Sequence, residues 1–198
     1  AGNATALTIS PFAVTIEADR YYDGTRTISQ SDFIVPNGLN ANGERVYVAT
    51  GNATVSSANV GNYSNVTFSN LTIRVDDGFG GTRPSANYTF NTTGGVQIVP
   101  APLTISLDAK TMTYGGTVPT LTFTYTGQVT GETPNFTGSL YTYVTSTTGA
   151  GSHPIDLGTL QATGNYTVPR GGNQYFVPAN LVVNPAPLNL TISKVYNG

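Results

Sequence analysis

The sequence predicts an all-β chain of two small β domains in tandem, joined end to end by Pro-rich links. Three observations lead there. Apolar residues alternate with Thr and Ser in short runs, and no stretch sustains a stripe at helical spacing. Among 198 residues there are 32 Thr, 18 Asn, 23 Gly and 12 Pro, so strand and turn formers dominate and helix formers are sparse. A set of short elements also occurs twice in the same order.

The strands follow from the alternation. Phe12-Ala-Val14-Thr-Ile16, Val66-Thr-Phe68 and Leu121-Thr-Phe123-Thr-Tyr125 each place their apolar side chains on one face. The expected core of the first domain is Val14, Ile16, Phe33, Val46, Val48, Phe68, Leu71 and Ile73. That of the second is Leu103, Ile105, Leu121, Phe123, Leu140, Ile155, Leu157, Leu160 and Val168. An Ig-like sandwich is the first expectation. A β-grasp-like sheet with one short helical turn near Gly131–Phe136 is the alternative.

The repeat sets the boundaries. Pro100-Ala101-Pro102-Leu103-Thr-Ile105 returns as Pro185-Ala186-Pro187-Leu188-Asn-Leu190, with Pro11-Phe12-Ala-Val14 as a weaker copy. Each is followed by a Tyr-x-Gly element: Tyr22-Asp23-Gly24, Tyr114-Gly115-Gly116 and Tyr196-Asn197-Gly198. Gly43-Glu44 matches Gly131-Glu132, Asn59 to Tyr63 matches Gly149 to His153, and Asn87-Tyr88-Thr89 matches Asn165-Tyr166-Thr167. The domains therefore run over residues 11–101 and 102–186. Residues 1–10 read as the closing strand of a preceding repeat and 187–198 as the opening strand of a following one. The first copy carries an extra stretch, Val75 to Pro84, that reads as a loop from its Gly and Asp content.

Composition excludes several functions. Eight Lys and Arg against ten Asp and Glu give a net charge of −2, too few cations for a nucleic-acid face. With no Cys and one His, a Cys- or His-built metal centre is ruled out. No apolar run approaches the roughly 20 residues of a membrane-spanning helix. Neither a nucleophile–base set nor a carboxylate pair suited to catalysis stands out, and no cofactor is expected.

The Tyr-Asp-Gly, Tyr-Gly-Gly, Gly-Asn-Tyr-Thr and Pro-Ala-Pro-Leu elements resemble the YDG and MBG repeat modules. These occur in tandem in large bacterial surface exoproteins and filamentous-haemagglutinin-like adhesins. The first copy is similar to the YDG type. The second, with Lys110-Thr-Met-Thr-Tyr114-Gly115, is similar to the YGX-type MBG module. The chain departs from the pattern in the Asp76–Pro84 insertion and at Phe12. The resemblance implies an extracellular adhesin stalk at the bacterial cell surface, and it carries no catalytic residues over.

Several residues are candidates for more than packing. Tyr22, Tyr114 and Tyr196, each followed by a Gly, read as turn anchors at the domain ends. Asp76 and Asp77 form an adjacent acid pair that, with Glu17, Asp19 or Asp23, could supply oxygen ligands to calcium, although an Asp-Gly turn explains them more simply. Asp76, Asp77 and Arg83 would also line a ligand loop for a host or matrix glycan. Tyr141 and Tyr143 share a face, with Tyr125 expected nearby, and His153 reads as a packing residue opposite Tyr63. Lys110 and Lys194 precede the Tyr-x-Gly turns, where an isopeptide bond is a weak alternative. Asn-x-Ser/Thr tripeptides start at Asn3, Asn52, Asn62, Asn65, Asn70, Asn87, Asn91, Asn135, Asn165 and Asn189. Of these, Asn62, Asn87, Asn135 and Asn165 are the candidate glycan acceptors. The expected function is a non-catalytic stalk whose partners are neighbouring repeats, or neighbouring copies completed through the terminal strands into a filament.

Overall fold

The structure, a computed structural model, describes residues 10–35, 45–76, 79, 81–91, 93–171 and 173–196. It divides into two compact units, Ala1–Ala101 and Pro102–Gly198. Both are all-β; among the described residues there is no α-helix. The repeat element Gly38–Glu44, Asp77, Asn197, Gly198 and residues 1–9 lie outside the described residues.

The first unit contains β1 (Phe12–Val14), β2 (Glu17–Tyr21), β3 (Thr27–Ser29), β4 (Phe33–Ile34), β5 (Val46–Thr54), β6 (Gly61–Asp76), β7 (Thr82–Pro84), β8 (Tyr88–Phe90) and β9 (Thr93–Val99). The main sheet has the order β3-β5-β6-β9-β2-β4, with β7 added alongside β6, and β1 pairs β8 separately. Val14, Val46, Val75 and Tyr88 form one buried cluster, with Val35 and Ile73 packed against it. Gly94 is required where β9 passes Ile16, because a Cβ there would overlap the Ile16 carbonyl.

The 16-residue β6 joins the two halves of this sheet. Its first part pairs β9 (Gly61↔Ile98 to Thr67↔Thr93) and its second part pairs β5 (Phe68↔Ala53 to Val75↔Val46). Asn65 (φ 56°) and Asn70 (φ 54°) are its two left-handed residues. Both sit where the register shifts, as bulges that bend a strand from one partner to the next. The inward side changes with them: Tyr63, then Val66 and Phe68, then Leu71, Ile73 and Val75. A strict period of two that buries Tyr63, Leu71, Ile73 and Val75 would expose Val66 and Phe68.

The second unit contains β11 (Thr104–Leu107), β12 (Lys110–Thr113), β13 (Phe123–Thr126), β14 (Phe136–Thr137), β15 (Gly151–Ile155), β16 (Gln161–Ala162), β17 (Tyr166–Thr167), β18 (Phe176–Val177) and β19 (Ala179–Asn184), preceded at the division by β10 (Ala101–Pro102). Two sheets of three carry it, β13-β11-β18 and β12-β19-β15, with β14 pairing β16. Leu103, Ile105, Leu107, Met112, Val144, Ile155, Leu160, Val168, Leu181 and Val183 are buried.

Three expectations need correction. The helical turn near Gly131–Phe136 is absent; the described 3-10 turns lie at Gln30–Asp32 and Asn173–Tyr175. Gly131 takes a left-handed φ of 87°, and Pro134 follows it, so no turn propagates. The Val75–Pro84 stretch is a hairpin arm rather than a loop: β7 pairs β6 through Arg74↔Pro84, Val75↔Arg83 and Asp76↔Thr82. Arg74 reinforces it by donating from Nε to Thr82 Oγ1 and from Nη2 to Thr82 O, both at 2.8 Å. In the expected core, Phe33, Leu71, Ile73, Leu121, Phe123, Leu140 and Leu157 are only half-buried. Phe33 sits on the two-residue edge strand β4, and Phe123 on β13 at a sheet edge, where one flank remains open to water.

Candidate functional site

Both units use the same device to bring chain start and chain end together. The opening strand is broken in two, as β1–β2 in the first unit and β11–β12 in the second. Each half pairs in parallel with a late strand: β1 with β8 and β2 with β9, β11 with β18 and β12 with β19. The final ladder runs Ala18↔Val96 to Tyr21↔Val99 in one unit and Lys110↔Leu181 to Thr113↔Asn184 in the other. The Tyr of the Tyr-x-Gly turn adds the last rung. Tyr22 N–H donates to Val99 O, and Tyr114 N–H to Asn184 O, each at 2.8 Å. This backbone bond gives the recurring tyrosine its place in the fold.

The side chains of the two turns differ. The Tyr22 ring is buried at 8% exposure, while that of Tyr114 is 46% exposed, so ring packing is not what the repeat preserves. The left-handed glycine is Gly24 (φ 79°) in the first turn and Gly115 (φ 85°) in the second. In the first, Arg20 is buried and ion-paired with Asp23, and it donates through Nη2 to Thr25 O. Asp23 Oδ1 accepts the Thr25 N–H at 2.8 Å and the Thr25 hydroxyl at 2.9 Å. Burial pushes the Asp23 carboxyl up, but the Thr25 N–H, the Arg20 guanidinium and the Thr25 hydroxyl together hold it below its ordinary value. Counting from the aligned tyrosines, Met112 stands in place of Arg20 and Gly115 in place of Asp23. A buried apolar side chain and a glycine thus replace the ion pair.

A second link ties two other repeat elements. Tyr166 donates its hydroxyl to Glu132 Oε2 at 2.5 Å and accepts the Val129 N–H at 3.1 Å. Burial, then the Glu132 carboxylate, raise the Tyr166 phenol above its ordinary value. Gly-Glu and Asn-Tyr-Thr recur together in the sequence, and this bond connects them in the second unit.

The remaining candidates fall as follows. Asp76 accepts from the Tyr47 hydroxyl at 3.2 Å, and its N–H donates to Arg45 O. Arg83 is exposed on β7, opposite Val75. Among the described residues, no three of His, Cys, Asp and Glu gather in a metal-sized group. Tyr196 is exposed, in a segment without strand structure. Asn62, Asn87 and Asn135 are exposed; Asn165 is half-buried and engaged. Tyr141 and Tyr143 are both exposed. Tyr125 instead joins Phe123 around Phe136, each ring centroid 5.0 Å from that of Phe136. Lys110 Nζ donates to Thr122 Oγ1 at 2.6 Å, not to an Asn or Asp side chain. Among the described residues no helix is long and apolar enough to cross a membrane.

Sequence reasoning missed Arg20 and Glu132. Alternation of Ala18, Arg20 and Tyr22 gives the one inward face of β2, which would have marked the arginine as buried. The joint recurrence of Gly-Glu and Asn-Tyr-Thr was the available signal for Glu132.

No curated protein and no solved structure matches this chain. Two family models do, the YDG domain over residues 4–95 and the MBG domain of YGX type over residues 103–174. The chain is a YDG domain followed in tandem by a YGX-type MBG domain.

Proposed function

We propose that this chain is a non-catalytic, load-bearing repeat of a bacterial extracellular adhesin or surface fibre. The observation that carries the reading is the parallel pairing of opening and closing strands in both units. Strands paired in parallel are entered at one end of the ladder and left at the other. Tension along the chain then slides β2 against β9 and β12 against β19, loading every rung at once. Peeling would break them one by one. The Tyr22 and Tyr114 N–H bonds lengthen each ladder at its loaded end.

The segment after β19 supports an array. Pro187-Leu188-Asn-Leu190-Thr-Ile192 copies Pro102-Leu103-Thr-Ile105-Ser-Leu107. Leu103, Ile105 and Leu107 are buried, whereas Leu188, Leu190 and Ile192 lie 72–86% exposed. This segment reads as the opening strand of a following repeat; an exchanged strand in a neighbouring copy would give a filament instead. Deleting residues 11–186 in frame from the parent protein is the test. The reading expects surface display to persist, with reach and adhesion under flow reduced. Unchanged adhesion under flow would contradict it.

A second reading has one observation in its favour. Phe79, between β6 and β7 on the hairpin arm, is 98% exposed. An exposed aromatic on an arm absent from the second unit suits a contact with a protein or glycan partner. Loss of adhesion on Phe79→Ala, with reach intact, would favour it over the stalk.

A further inference from the structure

β6 contains the same five-residue pattern twice in succession, Tyr63-Ser64-Asn65-Val66-Thr67 and Phe68-Ser69-Asn70-Leu71-Thr72. Each has the acceptor tripeptide Asn-x-Thr with an aromatic residue two positions before the Asn. No other acceptor tripeptide in the chain has an aromatic residue there. Each Asn is a left-handed bulge. The two differ in where the ring goes. Phe68 is buried and meets Phe33 edge-on at 5.3 Å, so it offers no ring in solvent to a sugar on Asn70. Tyr63 is half-buried and lines an open hollow with Asn65, Thr67, Asn62, Thr54 and Ser56.

We propose that Asn65 is a glycan acceptor and that the first sugar stacks on the Tyr63 ring. Asn65 lies off the ladder, between the pairs Tyr63↔Val96 and Val66↔Gly94, so its carboxamide is exposed without breaking strand pairing. Among the described residues its side chain makes no hydrogen bond. By contrast, Asn52 Oδ1 accepts from Ser69 at 2.6 Å and Asn91 Nδ2 donates to Thr15 at 2.9 Å. The Thr67 hydroxyl that the acceptor pattern needs is exposed as well. The Tyr63 hydroxyl donates to Asn59 O at 2.6 Å, which holds the ring in place at the side of the hollow. Among the described residues no charged side chain lines the hollow, so a neutral sugar sits among amides and hydroxyls, with its apolar face on the ring.

The modification needs a sugar diphosphate donor and a separate transferase. The Asn65 Nδ2–C1 bond forms as the C1–O bond to the diphosphate breaks. The diphosphate leaves with that electron pair, and the displaced Nδ2 proton goes to the transferase base. This inference does not rest on the stalk reading.

The test is glycopeptide mass spectrometry on the protein from its own cells, with melting of the separated occupied and unoccupied forms. We expect Asn65 to carry sugar and Asn70 to be bare. Occupancy at Asn65 should raise the melting temperature of the first unit by about 2–6 °C. In Tyr63→Ala this difference between forms should vanish. Absence of sugar at Asn65, or an undiminished difference in Tyr63→Ala, would overturn the assignment.

Discussion

Tyr63 and His153 make the same hydrogen bond from the same place in their units. Tyr63 donates its hydroxyl to the carbonyl of Asn59, four residues earlier, at 2.6 Å. His153 Nε2 lies 2.9 Å from the carbonyl of Gly149, also four residues earlier. With Nε2–H as the donor, Nδ1 is free to accept the Tyr143 hydroxyl at 2.8 Å. The lone histidine is thus a ring that serves the same strand start as the tyrosine, in keeping with a packing role and with the alignment of the two copies.

His153→Tyr should therefore be tolerated, within about 0.5 kcal/mol of the parent, because a phenol reaches the same carbonyl in the first unit. His153→Ala removes both bonds and should cost about 1–2 kcal/mol. Chemical denaturation of the second unit distinguishes them; equal losses would refute a shared role.

Arg20 and Asp23 should behave as one unit that Met112 and Gly115 replace in the second copy. Asp23→Gly alone leaves a buried guanidinium without its carboxylate and should cost about 1–3 kcal/mol, between the values for exposed and for buried pairs because Asp23 is half exposed. The double variant Arg20→Met with Asp23→Gly should recover most of that loss. Additive losses in the double-mutant cycle would show that the exchange is coincidental.

The same pair gives the first unit an acid limb. The Asp23 carboxyl is depressed in the folded state, so its stabilisation is complete above the unfolded value of about 3.9 and is lost as pH falls through the folded one. Denaturation curves between pH 2 and 5, by order of magnitude the window around a carboxylate, should fall less steeply in the double variant.

Tyr166→Phe should cost the second unit about 1–3 kcal/mol, since it removes the bond to Glu132 Oε2 and the acceptor of the Val129 N–H. The phenol is raised in the folded state. Its stabilisation is therefore complete below the unfolded value of about 10 and declines as pH rises through the higher folded one. Tyr166→Phe should flatten the alkaline limb; an unchanged limb would place the effect elsewhere.

Much of this architecture was legible in the chain. Alternation at Val14 and Ile16, and at Leu103 and Ile105, identified buried strand faces, and the Pro-Ala-Pro-Leu and Tyr-x-Gly elements set the repeat. What the sequence concealed has physical causes. Bulges at Asn65 and Asn70 change the inward side of β6, so a fixed period misassigns it. The partner of Tyr22 is a backbone carbonyl on β9, and backbone pairing leaves no trace in side-chain pattern. The hairpin arm reads as a loop because its Gly and Asp content hides the three-residue β7. Residues 131–136 form no helical turn because Gly131 is left-handed and Pro134 cannot donate to a helical ladder, conformational facts that apolar periodicity does not register.

The central claim is that parallel strand pairs at the start and end of each unit resist tension in shear, and pulling the second unit in two directions tests it most directly. The chain has no cysteine, so introduced cysteine pairs fix the handles uniquely. Handles at residues 102 and 185 slide β12 along β19. Handles at 117 and 185 load the same end of both strands, next to the Tyr114–Asn184 bond, and unzip them. The account expects the first geometry to unfold at clearly higher force, releasing about 25–30 nm of chain. Equal forces in the two geometries, or a weaker first geometry, would contradict it.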